Sequence, residues 1–188
     1  MPRKKKIVID CLSPSSMQQG VMSLRDYRQF VQDRCLAFVL ELANRGIFVA
    51  RHIPTGGFDK YIYFGIESRR MRNAGAEAII YAQQTGLIRS EWLVASASAV
   101  KVADVSPLLM AEFGAGINHD KNPVAHRHQM GAGTFPDQTH AFDAAGWWYQ
   151  DTSGEWHHSD GIEPSMPMYR TALYLQRTVV VVARQMFK

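Results

Sequence analysis

An α+β fold is the class this sequence predicts: a long N-terminal helix and a C-terminal helix packed on an antiparallel β-sheet, with a long loop insertion. Three observations carry that expectation. Apolar residues recur at steps of three and four in two places, near the start and at the end of the chain. Between them, β-rich segments alternate with turn signals, and an antiparallel sheet is the economical surface on which a helix buries its apolar stripe. Both patterns fade over residues 117–145, a polar stretch punctuated by Gly and Pro that is too long for an ordinary connection.

Taken in order, residues 6–11 predict a short strand and residues 12–20 a loop, broken by Ser13, Pro14, Ser15 and Ser16. The first helix is expected to begin at Ser23, an N-cap with Asp26 three residues on. Leu24, Tyr27, Val31, Cys35, Phe38 and Leu42 form its buried face, and Gly46 its C-terminal stop. Strands are then expected over 47–53, 61–67, 77–84, 92–104 and 107–113, with a turn at Pro54-Thr55-Gly56-Gly57. Residues 147–151 and 155–158, on either side of Thr152-Ser153-Gly154, read as a hairpin. A closing helix from about Met166 uses Met168, Ala172, Leu175, Val179 and Met186, although its valines at 179–182 fit a strand equally well.

At 188 residues, with 46% hydrophobic and 20% charged side chains, the chain has the proportions of one folded domain with a full core. Cys11 and Cys35 form no C-x-x-C pair, and no disulfide is expected. The basic start Arg3-Lys4-Lys5-Lys6 is followed by only three apolar residues, too few for a signal peptide, and no run approaches a bilayer span. Charge is unevenly placed. Residues 1–101 hold 15 Lys/Arg against 8 Asp/Glu, residues 102–168 hold 2 against 9, and residues 169–188 hold 4 against 0. Such polarity suits basic and acidic surfaces that meet copies of the same chain or unlike neighbours, or charges that intermingle on one surface.

Three constellations bear on chemistry. His119, His126, His128, His140, His157 and His158 fall close together beside Asp120, Asp137 and Asp143, and imidazoles with carboxylates are zinc ligands, so a zinc-dependent hydrolase is one alternative. The spacing weighs against it. No H-E-x-x-H is present, and adjacent His157 and His158 on a strand point to opposite faces. The basic arm, residues 1–6, with Arg69, Arg70 and Arg72 offers a second alternative, a non-specific nucleic-acid-binding module, but no recognition motif accompanies it. Third, there is no G-x-S-x-G, P-loop or G-x-G-x-x-G, and Gly114-Ala115-Gly116 lacks the Lys-Ser/Thr of a phosphate loop. The expectation is a protein without catalytic residues, metal or cofactor.

Four landmarks then stand in series: Pro54-Thr55-Gly56; Ala111-Glu112-Phe113-Gly114-Ala115-Gly116; Gly146-Trp147-Trp148-Tyr149; and Gly161 with Pro164, Pro167, Met168 and Ala172. Their order and positions, covering residues 24–188, resemble the gp-ten-like tail-component family of lambdoid phages, the head-to-tail connector proteins of the tailed-bacteriophage neck. The chain departs from that pattern after Thr55-Gly56, where the family's Leu-Arg-x-Ser is missing. The resemblance implies a structural virion subunit, made in the host bacterial cytoplasm and assembled as a ring between capsid and tail. Its implied partners are other copies of itself, head-closure, tail-terminator or tail-tube proteins, and genomic DNA that passes without sequence-specific binding; no membrane is involved.

The landmarks have physical uses of their own. Glycines at 114 and 116 allow a sharp turn or a close backbone approach. Phe113 suits an anchor, and Glu112 needs a cation or backbone N–H if it is buried. Trp147, Trp148 and Tyr149 belong to the residue types that dominate interface hot spots, and on a strand one tryptophan faces the core and the other a contact. Glu112, Phe113, Gly114, Gly116, Trp147, Trp148 and Tyr149 are thus the expected assembly interface. The acidic segment 102–168 would repel phosphate if it lined a DNA channel, or receive basic arms if it lay outside.

Overall fold

The computed structural model describes residues 13–73, 75–94, 99–114, 147–150 and 153–187. The class is α+β. The first helix, α1, runs Pro14–His52, about 58 Å at the α-helical rise. It starts where a loop was expected. The Ser13 hydroxyl accepts the Ser16 N–H at 3.3 Å and the Ser13 carbonyl accepts the Met17 N–H at 3.0 Å. Proline at the next position costs nothing, because the first-turn N–H is an orphan anyway. Residues read as loop punctuation are therefore a helix start.

α1 also runs through Gly46 and through the strand expected at 47–53. A mid-helix glycine costs roughly 1 kcal/mol against alanine, and burial of Ile47 and Ala50 outweighs it. What ends the helix is Pro54, which disfavours helical backbone just before it, followed by Gly56 and Gly57 at φ +67° and +94°. The expected turn is present there.

Strands β1 (Ile62–Arg70) and β2 (Ala76–Gln84) form a two-stranded sheet. The Met71 N–H bonds the Gly75 carbonyl at the turn, and the Thr85 N–H bonds the Tyr61 carbonyl at the open end. A second, four-stranded sheet has the order β4-β3-β5-β6, built from β3 (Ile88–Val94), β4 (Ala99–Val105), β5 (Trp147–Gln150) and β6 (Trp156–Ser159). All its pairings are antiparallel, with Ile88 opposite Val105 and Trp148 opposite both Glu91 and His158. The single strand expected over 92–104 is thus two paired strands. Thirteen residues exceed the usual strand length, and Ala95-Ser96-Ala97-Ser98 offers little strand propensity at its middle. The expected hairpin at 147–158 is found.

Residues 107–113, expected as a strand, form helix α2 (Pro107–Phe113). Ser106 caps it by accepting the Leu109 N–H at 3.2 Å, Pro107 opens it, and Gly114 closes it at φ +74°. An apolar run of seven residues fits either element, and the flanking Ser-Pro and Gly decide. The last helix, α3, is Pro167–Met186 and includes the four valines. Val182 is buried while Val180 and Val181 are exposed, so helical periodicity prevails over strand propensity once a continuous apolar face is available.

The described residues form two compact units. One comprises 13–45, 66–80 and 175–187, the other 46–65 and 81–174. In the first, Gln32 donates to the Met71 carbonyl at 2.7 Å, Arg70 pairs with Asp33 at 2.8 Å, and Phe38 meets Phe187 edge-on with ring centroids 5.5 Å apart. In the second, Ala50, Phe58, Tyr61, Ile62, Phe64, Ile88, Val105, Met110 and Ala111 form the hydrophobic core. No described helix is long and apolar enough to cross a membrane. The strand expected at 6–11, the loop at 117–145 and Gly116 lie outside the described residues.

Candidate assembly site

The junction between α2 and the start of α3 brings together residues more than fifty positions apart. The two carboxylate oxygens of Glu112 accept the backbone N–H groups of Met168 and Tyr169, each at 2.9 Å. These are first-turn donors of α3 with no partner inside that helix, and a carboxylate there also complements the positive end of the helix dipole. Sequence reasoning asked for a cation or backbone N–H near Glu112, and the structure supplies two N–H groups.

One residue earlier, the Ala111 carbonyl accepts from the Ser165 N–H at 2.9 Å, the Met166 N–H at 3.0 Å and the Ser165 hydroxyl at 3.1 Å. Met166 sits at φ +56°, a left-handed conformation that a bulky side chain adopts only where its surroundings impose it. Here the bond to Ala111 on one side and the first turn of α3 on the other fix it. Gly114 completes the joint. A Cβ at that position would lie 2.7 Å from the Ile162 carbonyl oxygen and 2.7 Å from Pro164 Cδ. Its φ and ψ, +74° and −177°, belong to a region essentially reserved for glycine.

A recess of about 540 Å³ opens beside this joint, lined by Pro54, Gly56, Phe58, His158, Gly161, Ile162, Glu163, Pro164, Ser165 and Arg170. Residues of three sequence landmarks therefore lie close together: the Pro54 turn and the segment opening α3 line the recess beside the Glu112–Gly114 corner, and His158, the strand partner of Trp148, lines it as well. Two serine hydroxyls here hold backbone, while the buried hydroxyls of Thr55 and Thr171 have no hydrogen-bond partner among the described residues. Ser165 bonds Ala111, and Ser159 bonds the Gly161 carbonyl and N–H at 3.2 and 3.3 Å. The arrangement serves as a rigid joint.

On the hairpin, Trp148 is 49% exposed and meets the His158 ring edge-on at 5.0 Å between centroids. His158 Nδ1 lies 3.5 Å from Asp160 Oδ1. For Trp147 and Tyr149 the structure describes the backbone only, at register positions opposite Ser159 and His157. Phe113 is half-buried at the end of α2. Of the residues expected at an interface, Glu112 and Gly114 lie in this joint and Trp148 lies half-exposed on the hairpin.

Among the described residues no three His, Cys, Asp or Glu side chains gather as metal ligands. His157 and His158 alternate along β6, and His119, His126, His128 and His140 lie outside the described residues.

Two features escaped sequence reasoning. One is the role of Ala111, Ser165 and Met166 in the joint, for which no local pattern exists. The other is the apolar stripe of α1 upstream of Ser23, signalled by Met17 and Val21 at the same spacing as Leu24 and by the Ser13-Pro14 start. No family model, no curated protein and no solved structure matches the chain.

Proposed function

We propose that the chain is a structural subunit of the tailed-phage neck, a head-tail connector or tail-completion protein that assembles with copies of itself into a ring around the DNA channel between capsid and tail. The observation that supports this reading is that two of the landmarks, more than fifty positions apart, meet at one joint, with a third lining the recess beside it. Glu112 and Gly114 of one landmark meet Met168 and Pro164 of another through named bonds and close contacts. Glu112 and Ser165 use their polar atoms to fix backbone at the joint, which suits a structural part. Identical subunits joined head to tail close into a ring when the rotation between neighbours divides a full turn, and exposed Trp148 is a residue type suited to such a contact.

The test is a phage carrying a disrupted copy of the gene, viewed by electron microscopy. DNA-filled heads without tails are expected, with tailed particles restored when the protein is supplied from a plasmid. Normal tailed, infectious particles from the disrupted phage would overturn the reading.

A further inference from the structure

The tip of the β1–β2 ribbon lies against the first half of α1, and arginines gather where the two meet. Arg28 donates through Nη2 to the Arg72 carbonyl, and Gln32, one turn further along α1, donates to the Met71 carbonyl at 2.7 Å. Arg25 stands one turn before Arg28, at the i, i+3 spacing that makes helix side chains neighbours. All three arginines are exposed.

Other charges close by are already matched. Arg70 pairs with Asp33 at 2.8 Å, an acid that also accepts from Gln29 at 3.1 Å, and Arg69 pairs with Glu77 across the ribbon at 2.5 Å. Asp26 stands about 100° round the helix from Arg25. Arg25, Arg28 and Arg72 have no acidic partner among the described residues. The bond that fixes Arg28 is to a neutral carbonyl, so its charge stays uncompensated. Like charges held side by side are unfavourable until an anion joins them.

Charge density and shape say which anion. The described residues of this unit hold nine arginines and no lysine against five acids, and the guanidinium fork matches phosphate oxygens two at a time. Protein surfaces intersperse acids with bases, as Glu67 and Arg69 do on β1. Duplex DNA instead presents one negative charge for every ~1.7 Å of its axis, close enough to serve three adjacent arginines at once. A helix and a two-stranded ribbon are also the two shapes that its major groove admits.

We infer that Arg25, Arg28 and Arg72 form a surface that binds the phosphate backbone of duplex DNA without regard to base sequence. The sequence offers Arg69, Arg70 and Arg72 as a cationic set; the fold ties Arg69 and Arg70 into ion pairs, keeps Arg72 and adds Arg25 and Arg28 from α1. The surface lies within one compact unit and needs no ring, so it goes beyond the neck reading and stands or falls apart from it.

The test is binding of the purified full chain to a fluorescently labelled duplex, followed by anisotropy from about 50 to 200 mM salt. Two duplexes of unrelated sequence are expected to bind alike. Arg25→Gln with Arg72→Gln removes two phosphate contacts and leaves the Arg28 bond, which uses the Arg72 backbone. The slope of log affinity against log salt should flatten by about 2, and affinity at 0.1 M salt should fall at least about tenfold. Arg177→Gln with Arg184→Gln makes the same change in net charge at exposed positions of α3 and is expected to cost less than about threefold. Residues 1–6 are common to all three proteins and cancel in the comparison, and circular dichroism checks that each is folded. Three outcomes would each overturn the surface: no duplex binding by the unaltered chain at about 50 mM salt, an Arg25 and Arg72 variant that binds like it, or equal losses from the two pairs. So would a chain that ignores DNA and self-associates through these arginines, which would assign them to acids of a second copy.

Discussion

The two long helices begin in opposite ways. α1 is started by its own neighbours in sequence, with Ser13 capping the first turn and Pro14 following at once, and the segment that results carries exposed apolar side chains. α3 is started by a residue 56 positions upstream, Glu112, whose carboxylate takes the N–H groups of Met168 and Tyr169. A helix start encoded locally needs no distant residue to satisfy its first N–H groups. A start supplied from a distance exists only once the fold has closed, so its residues serve the interior of the subunit. The difference separates residues that fix the interior of one unit from a helix segment whose apolar side chains are exposed.

Substitutions can break or sharpen that contrast. The largest effect is expected at Gly114. Alanine there meets the Ile162 carbonyl and Pro164 and enters a glycine-only region of backbone space, a loss of about 3 kcal/mol or more in denaturant unfolding. A loss below about 1 kcal/mol would show that the joint yields easily. Next comes Glu112→Ala, which strips two charge-assisted bonds from the α3 start and is expected to cost about 2 kcal/mol. Glu112→Gln keeps an acceptor but loses the charge, and should fall between that variant and the wild type. The distant cap would be secondary if the two variants unfolded at the wild-type midpoint.

The matching change at the other helix is smaller and local. Ser13→Ala is expected to weaken the first turn of α1 by about 1 kcal/mol. Hydrogen exchange of the Ser16 and Met17 amides should rise about fivefold while the global unfolding midpoint stays put, because helix ends open independently of the core. Global destabilisation would mean that this turn is tied into the core after all. Smallest of all is the stability effect of Leu24→Asp, within about 0.5 kcal/mol, as for an exposed position. A large drop in its melting temperature would show Leu24 to be packed inside the subunit.

The same contrast explains what was legible in the sequence. The α+β class, the Pro54 turn, the tryptophan hairpin and the closing helix all follow from local spacing and turn chemistry. So does the α1 start, since Ser13-Pro14 carries its physical signature in two residues; it was read as a loop because serines and proline punctuate loops as well. The segment 47–53 is a harder case. Its residues suit a strand, and only the burial of Ile47 and Ala50 in tertiary packing makes it helical. Likewise α2 is short enough that its apolar run decides nothing, and the glycine and Ser-Pro at its ends decide everything. The joint itself was half legible. A lone acid beside Phe113 and Gly114 announces a need for N–H donors, but that Met168 and Tyr169 provide them is set by the chain path alone.

The unit that holds α1 up to Arg45 is assembled from three stretches of chain, 13–45, 66–80 and 175–187. Synthesis proceeds from the N-terminus, so α1 emerges from the ribosome long before Leu175, Val179 and Phe187 exist to cover it. Its apolar face must wait, through most of translation, for the last segment to arrive. Nascent chains halted before that point leave Phe38 and Leu42 bare, which is the condition under which general chaperones bind and unfinished polypeptides aggregate.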